Sequence, residues 1–320
     1  MNNQKVLVTG GTGFVGIHTV LQLLAQGYLV NTTLRSMSKK DVVINALKDG
    51  GISDFSLLSL YEAELTSDKG WDQAVSGCDY VLHIASPFPA SNPENEDELI
   101  IPARDGALRV LKAAKEAGVK RVVLTSSFAA VGYSINVPGH VFNEEDWTDV
   151  NVPLPAYIKS KTVAEQAAWD FVADEGDGLE LTVINPVGIF GPAIGGITSA
   201  SLDIAITGIV NGTTAQSGEF TMGVVDVRDV ADLHIKAMTS PVAAGERFLA
   251  NADGVMSFYD VAELIRAERP TISSNIARMQ QTPDRFYKEM SNQKARTALH
   301  WAPKSKEEAI LASVDSLYPH

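Results

Sequence analysis

The sequence predicts an α/β fold, a doubly wound parallel sheet with a smaller, discontinuous C-terminal part. Three observations predict it. Apolar runs alternate with amphipathic stretches through the first half of the chain, the pattern of successive βαβ units. The runs are rich in Val, Ile and Leu and mostly lack polar alternation, as strands covered on both faces do. The first run passes through glycines into a helix pattern, "VLVTGGTGFVG" from Val6 to Gly16.

The elements follow in order. Strands are expected at Lys5–Thr9, Leu29–Leu34, Phe55–Leu60, Tyr80–Ala85, Arg121–Ser126 and Leu181–Asn185. Amphipathic helices are expected between them, among them Gly16–Gln26, Ile100–Ala117 and Tyr157–Ala173. Gly27 and Gly118 follow two of these helices, where a left-handed cap belongs. After Pro186 the composition shifts to Gly, Thr, Ser and Ile. A strand–helix pair returns at Met222–Met238, then a strand at Glu246–Ala250 and helices at Tyr259–Ala267 and Ser305–Leu317. We expect residues 1–186 and 224–250 to form one domain, and residues 187–223 and 251–320 a second that takes the substrate.

Bulk composition narrows the function. The 320 residues hold 39 acidic and 26 basic side chains, a formal net charge of -13. Such a chain is a poor partner for nucleic acid or an anionic membrane surface. The single cysteine, Cys78, excludes an intrachain disulfide and argues against a thiolate metal site. The histidines show no metal-ligand spacing, so no metal is expected. His83, in an apolar strand, reads as a satisfied core residue. The acidic run Glu94–Glu98 reads as a solvated loop or helix start. No signal peptide or membrane span is visible, so the expected compartment is the cytoplasm.

A strand, a glycine turn and an amphipathic helix are the signature of a dinucleotide site, a Rossmann-type arrangement. Gly10 allows the tight turn, Gly13 lets the backbone approach a pyrophosphate, and Gly16 lets the helix pack on the strand. Free N–H groups and the positive end of the helix dipole hold phosphates. The candidate residues are Thr9, Gly10, Gly13, Phe14, Val15 and Gly16. At the end of the second strand an acidic residue would favour NAD, but the sequence reads "TTLRSMSKK". Arg35, with Lys39 and Lys40 behind it, suits a 2′-phosphate and so NADP (NADPH). The competing reading is a solvated basic loop.

The stretch "AYIKSKTVAEQAAW" places Tyr157 and Lys161 one helical turn apart. An ammonium beside a phenol stabilises the phenolate and lowers its pKa, which makes the phenol a usable acid near neutrality. The tyrosine can then protonate a carbonyl oxygen as hydride reaches the carbon. Upstream, "VVLTSSFAAV" supplies Ser126 and Ser127 at a strand end. A hydroxyl there could hold the carbonyl oxygen. Phe88, Phe128, Ile194 and Met222 are candidates either for a substrate pocket or for plain core.

The pattern Thr9-Gly10-x-x-Gly13-x-x-Gly16 resembles that of the extended short-chain dehydrogenase/reductase family. With "LRSMSKK", "CDYVLHIASPF", "YIKSK", "NPVGIFGP", "VVDVRDVADLHIKAM" and "KARTALHWAPKSKEEAI", the chain resembles the branch of dihydroflavonol 4-reductase, cinnamoyl-CoA reductase and yeast-type ketone/aldehyde reductases. The resemblance implies a catalytic set of Ser127, Tyr157 and Lys161, with Ser126 as a neighbouring structural hydroxyl. The reverse assignment of the two serines stays open. It also implies that Lys161 and Tyr157 meet the nicotinamide ribose and that Ala85, Ser86 and Pro87 pass the cofactor. Pro186, Val187, Gly188 and Ile189 would approach the carboxamide, and Glu64 and Leu65 the adenine. Asp226 and Arg228 would be structural. The implied activity is NADPH-dependent reduction of a small-molecule aldehyde or ketone by a monomer or homodimer. The alternatives are a nucleotide-sugar epimerase or dehydratase, or a non-catalytic NADP(H) sensor. One departure stands out: where many members carry an asparagine, this chain has Arg109.

Overall fold

The computed structural model describes residues 4–87 and 93–319. It opens with β1 (Lys5–Val8), α1 (Phe14–Ala25), β2 (Leu29–Leu34), α2 (Lys40–Asp49) and β3 (Leu58–Glu62). The short α3 (Trp71–Val75), β4 (Tyr80–His83), α4 (Asp97–Glu116) and β5 (Arg121–Thr125) follow. Next come the two-residue β6 (Val141–Phe142), α5 (Ala156–Glu175), β7 (Glu180–Pro186) and β8 (Gly188–Phe190). The last part holds α6 (Gly208–Val210), β9 (Thr221–Asp226), α7 (Val227–Thr239), β10 (Arg247–Ala250) and β11 (Val255–Ser257). It closes with α8 (Phe258–Glu268), β12 (Glu289–Met290), α9 (Gln293–Leu299) and α10 (Lys306–Leu317).

Seven strands form the main sheet in the order β10-β7-β5-β4-β1-β2-β3, and every pairing in it is parallel. The Rossmann-type doubly wound sheet expected from the sequence is therefore present. Alternation along each strand divides the side chains between two layers. Leu7, Val81, Val122 and Val183 pack with Leu111 of α4 and Phe171 of α5. Val6, Val8, Leu82 and Val123 pack with Ile17 of α1 and Leu233 of α7. The strand order reverses between β1 and β4, which opens a crevice at the carboxyl ends of those strands.

Two strand ends differ from expectation for identifiable reasons. β3 starts at Leu58 rather than Phe55, because Asp54 accepts both the N–H and the hydroxyl of Ser56 and ties that stretch into a turn. β4 ends at His83 rather than Ala85, because the Ile84 and Ala85 N–H groups donate to the Thr9 hydroxyl, each at 2.9 Å, instead of joining a ladder. The acidic run is a helix start, since α4 begins at Asp97, where carboxylates complement the dipole.

The second sheet has the order β11-β9-β8. β9 pairs along its whole length with β8 and β11, while α7 packs on α1. The change between the two sheets therefore falls at Asp226–Val227, and the expected boundary at residue 224 cuts through a strand. Among the described residues, no helix is long and apolar enough to cross a membrane.

Candidate active site

The glycine turn is built by close backbone approach. Gly10 has φ +76°, its N–H donates to Thr33 Oγ1 at 3.1 Å, and its carbonyl accepts the Gly13 N–H at 2.9 Å. A Cβ on Gly16 would stand 2.1 Å from the Gly10 oxygen, so α1 can start there only with glycine. Gly13 caps α1 and is exposed. A Cβ on it would meet only Gly10 O, at 3.3 Å, which leaves the outward face open. Phe14 is buried, with its ring edge-on to His18, and Val15 packs partly against the core. What these two offer an anion is their N–H groups. The Thr9 hydroxyl is fully engaged by Ile84, Ala85 and His83 Nδ1. Gly11 was not singled out in the sequence, yet a Cβ there would lie 2.5 Å from Thr32 Oγ1. The Gly-Gly doublet was its only signal.

Arg35 follows β2 directly and is exposed; among the described residues it has no ion-pair partner. The turn behind it is fixed by Ser36, which accepts the Ser38 N–H, and by Glu62, which accepts the Met37 N–H at 2.9 Å. Lys39 and Lys40 are exposed on the same turn and the start of α2. Glu64 is exposed, and its carbonyl holds the Trp71 indole. Leu65 lies against Gly106 of α4. Arg109 binds the Asp68 carboxylate and the Leu65 carbonyl, so it serves as a strut.

The catalytic candidates converge where β5 ends and α5 begins. Ser127 accepts the Ala129 N–H at 3.1 Å, and its hydroxyl bonds the Tyr157 phenol. Ser126 instead turns its hydroxyl inward, donating to Glu165, which supports Ser127 as the substrate-facing serine. Lys161 Nζ lies 5.8 Å from the Tyr157 ring centroid and donates to Ser86 Oγ at 2.8 Å. Ala85 stands against Gly10, 3.1 Å from where a Cβ on that glycine would be.

The electrostatics correct one expectation. Tyr157 is held above its ordinary value, because burial outweighs the bond from Ser127. The Lys161 ammonium beside the ring donates to Ser86. Burial lowers Lys161 itself to about 8.

Beneath Ser127 lies a network invisible in the sequence. The buried Glu165, on α5, accepts Asn185 Nδ2 at 2.7 Å and Arg247 Nε at 2.6 Å, besides Ser126. Asn185 Nδ2 also donates to the Ser127 carbonyl at 3.2 Å. Arg247 donates to the Glu144 and Asp146 carbonyls and stacks 3.8 Å from the Trp147 ring. Tyr133 was likewise missed. It is partly exposed, its ring lies 5.8 Å from Phe128, and its phenol acts electrostatically on Tyr157.

The substrate candidates separate. Phe88 lies outside the described residues. Phe128 is buried edge-on to Phe142 in a small apolar cluster. Met222 flanks Gly188. Ile194 packs against the main core, next to Gly195, which abuts Ala46 of α2. Pro186, Val187, Gly188 and Ile189 carry the chain from β7 into β8, and the Val187 N–H donates to Ala250 O at 3.2 Å. Among the described residues, no group of His, Cys, Asp and Glu could hold a metal ion.

Comparison with known proteins gives concordant matches. The model of the NAD dependent epimerase/dehydratase family matches residues 6–250. The chain is 35% identical over 274 residues to a cinnamoyl-CoA reductase of Medicago truncatula, covering 83% of this chain and 81% of that one. It is 32% identical over 292 residues to a ketoreductase of Aspergillus niger, covering 85% of each. Among solved structures, yeast methylglyoxal/isovaleraldehyde reductase Gre2, complexed with NADPH, superposes with a TM-score of 0.86 at 26% identity and 98% coverage of each chain.

Proposed function

Because the chain belongs to the NAD dependent epimerase/dehydratase family, we propose that it is an oxidoreductase of that family, an NADPH-dependent reductase of aldehydes or ketones. The observation that carries this reading is the meeting of the Ser127 hydroxyl, the Tyr157 phenol and Lys161 beside the glycine turn. The NADPH-bound yeast relative and the reductases among the other relatives support it.

The residues present fit a dinucleotide phosphate. The open face of Gly13 and the N–H groups at the start of α1 suit a pyrophosphate. Arg35 is exposed and, among the described residues, has no ion-pair partner, which suits a 2′-phosphate. When bound, NADPH supplies the hydride. Ser127 holds the carbonyl oxygen, Tyr157 gives it a proton, and Lys161 binds the nicotinamide ribose hydroxyls. Shared by Ser127 and the carbonyl oxygen, the Tyr157 proton moves toward the oxygen as negative charge develops there.

Arg35→Ala should weaken NADPH far more than NADH. Hydrogen bonds to charged groups contribute roughly 1.5–3 kcal/mol, which corresponds to about a tenfold to hundredfold loss of relative affinity. Titration of both cofactors at low and high salt checks this. Equal weakening of the two would make the basic turn an ordinary solvated loop.

The pH dependence follows from Lys161. The reductive form needs a proton on Tyr157 and charge on Lys161. Tyr157 is held high, so the first loss on raising pH is the Lys161 charge, near 8. The kcat/KM for NADPH should be level below about pH 7 and fall up to tenfold per unit above Lys161's titration point. A profile that stays level to pH 10 would remove the ammonium from the reaction. The direct test of the function is NADPH oxidation with a panel of aldehydes and ketones.

A further inference from the structure

The Thr9 hydroxyl accepts two N–H groups, from Ile84 and Ala85. Both of its lone pairs are thereby used, so its own proton goes to His83 Nδ1, 2.9 Å away. The His83 ring is buried and burial keeps it neutral. Its proton therefore sits on Nε2. By strand alternation His83 shares the face of Val81, which packs under α4 and α5. On that face lies a partly open cavity of about 20 Å³, lined by His83, Ser86, Ser126, Lys161 and Glu165 and, on the α4 side, by Ala103 and Ala107. The volume suits one water, and the polar walls supply the two to four partners that an ordered water needs.

We propose that this chamber holds one water that accepts hydrogen bonds from His83 Nε2–H and Lys161 Nζ–H, and that His83 is thereby a positioning residue for the Lys161 ammonium. The inference rests on the proposed role of Lys161. The remaining bonds can be satisfied: the ammonium uses one N–H on Ser86 Oγ, and the Ser126 and Ser86 oxygens can accept from the water. The titratable groups around Lys161 are His83 from β4 and, on its own helix, Tyr157 and Glu165. α4 presents only alanines to the chamber. Without the water the ammonium would lose an acceptor and its charged form would be less favoured.

Two substitutions separate the ring's two edges. In His83→Asn the amide oxygen can still accept from Thr9, but position 83 no longer donates into the chamber. In His83→Gln the amide nitrogen reaches the position of Nε2. Ala107→Val fills the chamber and leaves every polar group in place. Asn and Val variants should move the basic limb of the kcat/KM profile to lower pH by about one unit, about tenfold in rate on that limb. The KM for carbonyl should be unchanged, and Gln should restore the wild-type limb. A high-resolution crystal structure of the wild type should show the water between Nε2 and Nζ. A dry chamber, or a limb that stays in place in the folded Asn and Val variants, overturns the inference. If the wild type reduced no carbonyl, the functional reading would fail, and the crystal structure would still decide the water.

Discussion

Tyr157→Phe is expected to lower kcat by about a hundredfold to ten-thousandfold, the usual contribution of a positioned acid. The NADPH dissociation constant should change little. The ring keeps its place in the first turn of α5, and the lost atom is the one that Ser127 bonds. Steady-state rates together with a binding titration separate chemistry from affinity. A variant that turned over normally would place the proton donor elsewhere.

The second large effect is on stability. Arg247→Met should destabilise the fold by about 3–5 kcal/mol, the usual cost of leaving a buried charge unpaired. Glu165 is fully buried, and Arg247 is its only cationic partner among the described residues. The substitution would also release the Glu144 and Asp146 carbonyls and the stack on Trp147. The double variant Glu165→Gln, Arg247→Met should recover much of the loss, since the orphaned charge goes with it. Denaturant unfolding of the two single variants and the double variant measures this. Strictly additive losses would mean that the pair does not act as a unit. Ser127 hangs from the same network through Asn185, so kcat should fall in the single variants even where they remain folded.

The fold was legible because burial on both faces leaves an unbroken apolar run, and because the glycine turn marks where the first strand meets its helix. Tyr157 and Lys161 were legible because one helical turn aligns them. Glu165 stands one further turn along the same face and gave no signal. Its meaning comes from Ser126, Asn185 and Arg247, which the chain brings together only through β5, β7 and β10. The direction of the Tyr157 shift was misread for a similar reason. Spacing put an ammonium near the phenol, but only the packed site shows it directed to Ser86 and the phenol buried. Composition left Ile194 open as pocket or core, and the path of the chain past Pro192, whose carbonyl contacts His18, packs it against the core beside α1 and α2. Phe55 looked like the start of a strand, but the local Asp54–Ser56 bonds took precedence over apolar patterning.

Carbonyl reduction by this chain is decided by following the label from NADPH deuterated at the transferable position in the presence of a panel of aldehydes and ketones. An alcohol with deuterium on the carbinol carbon should form at the rate of NADPH loss and be nearly abolished in Tyr157→Phe. NADPH left unconsumed across the panel, or an alcohol formed without the label, would contradict that reduction.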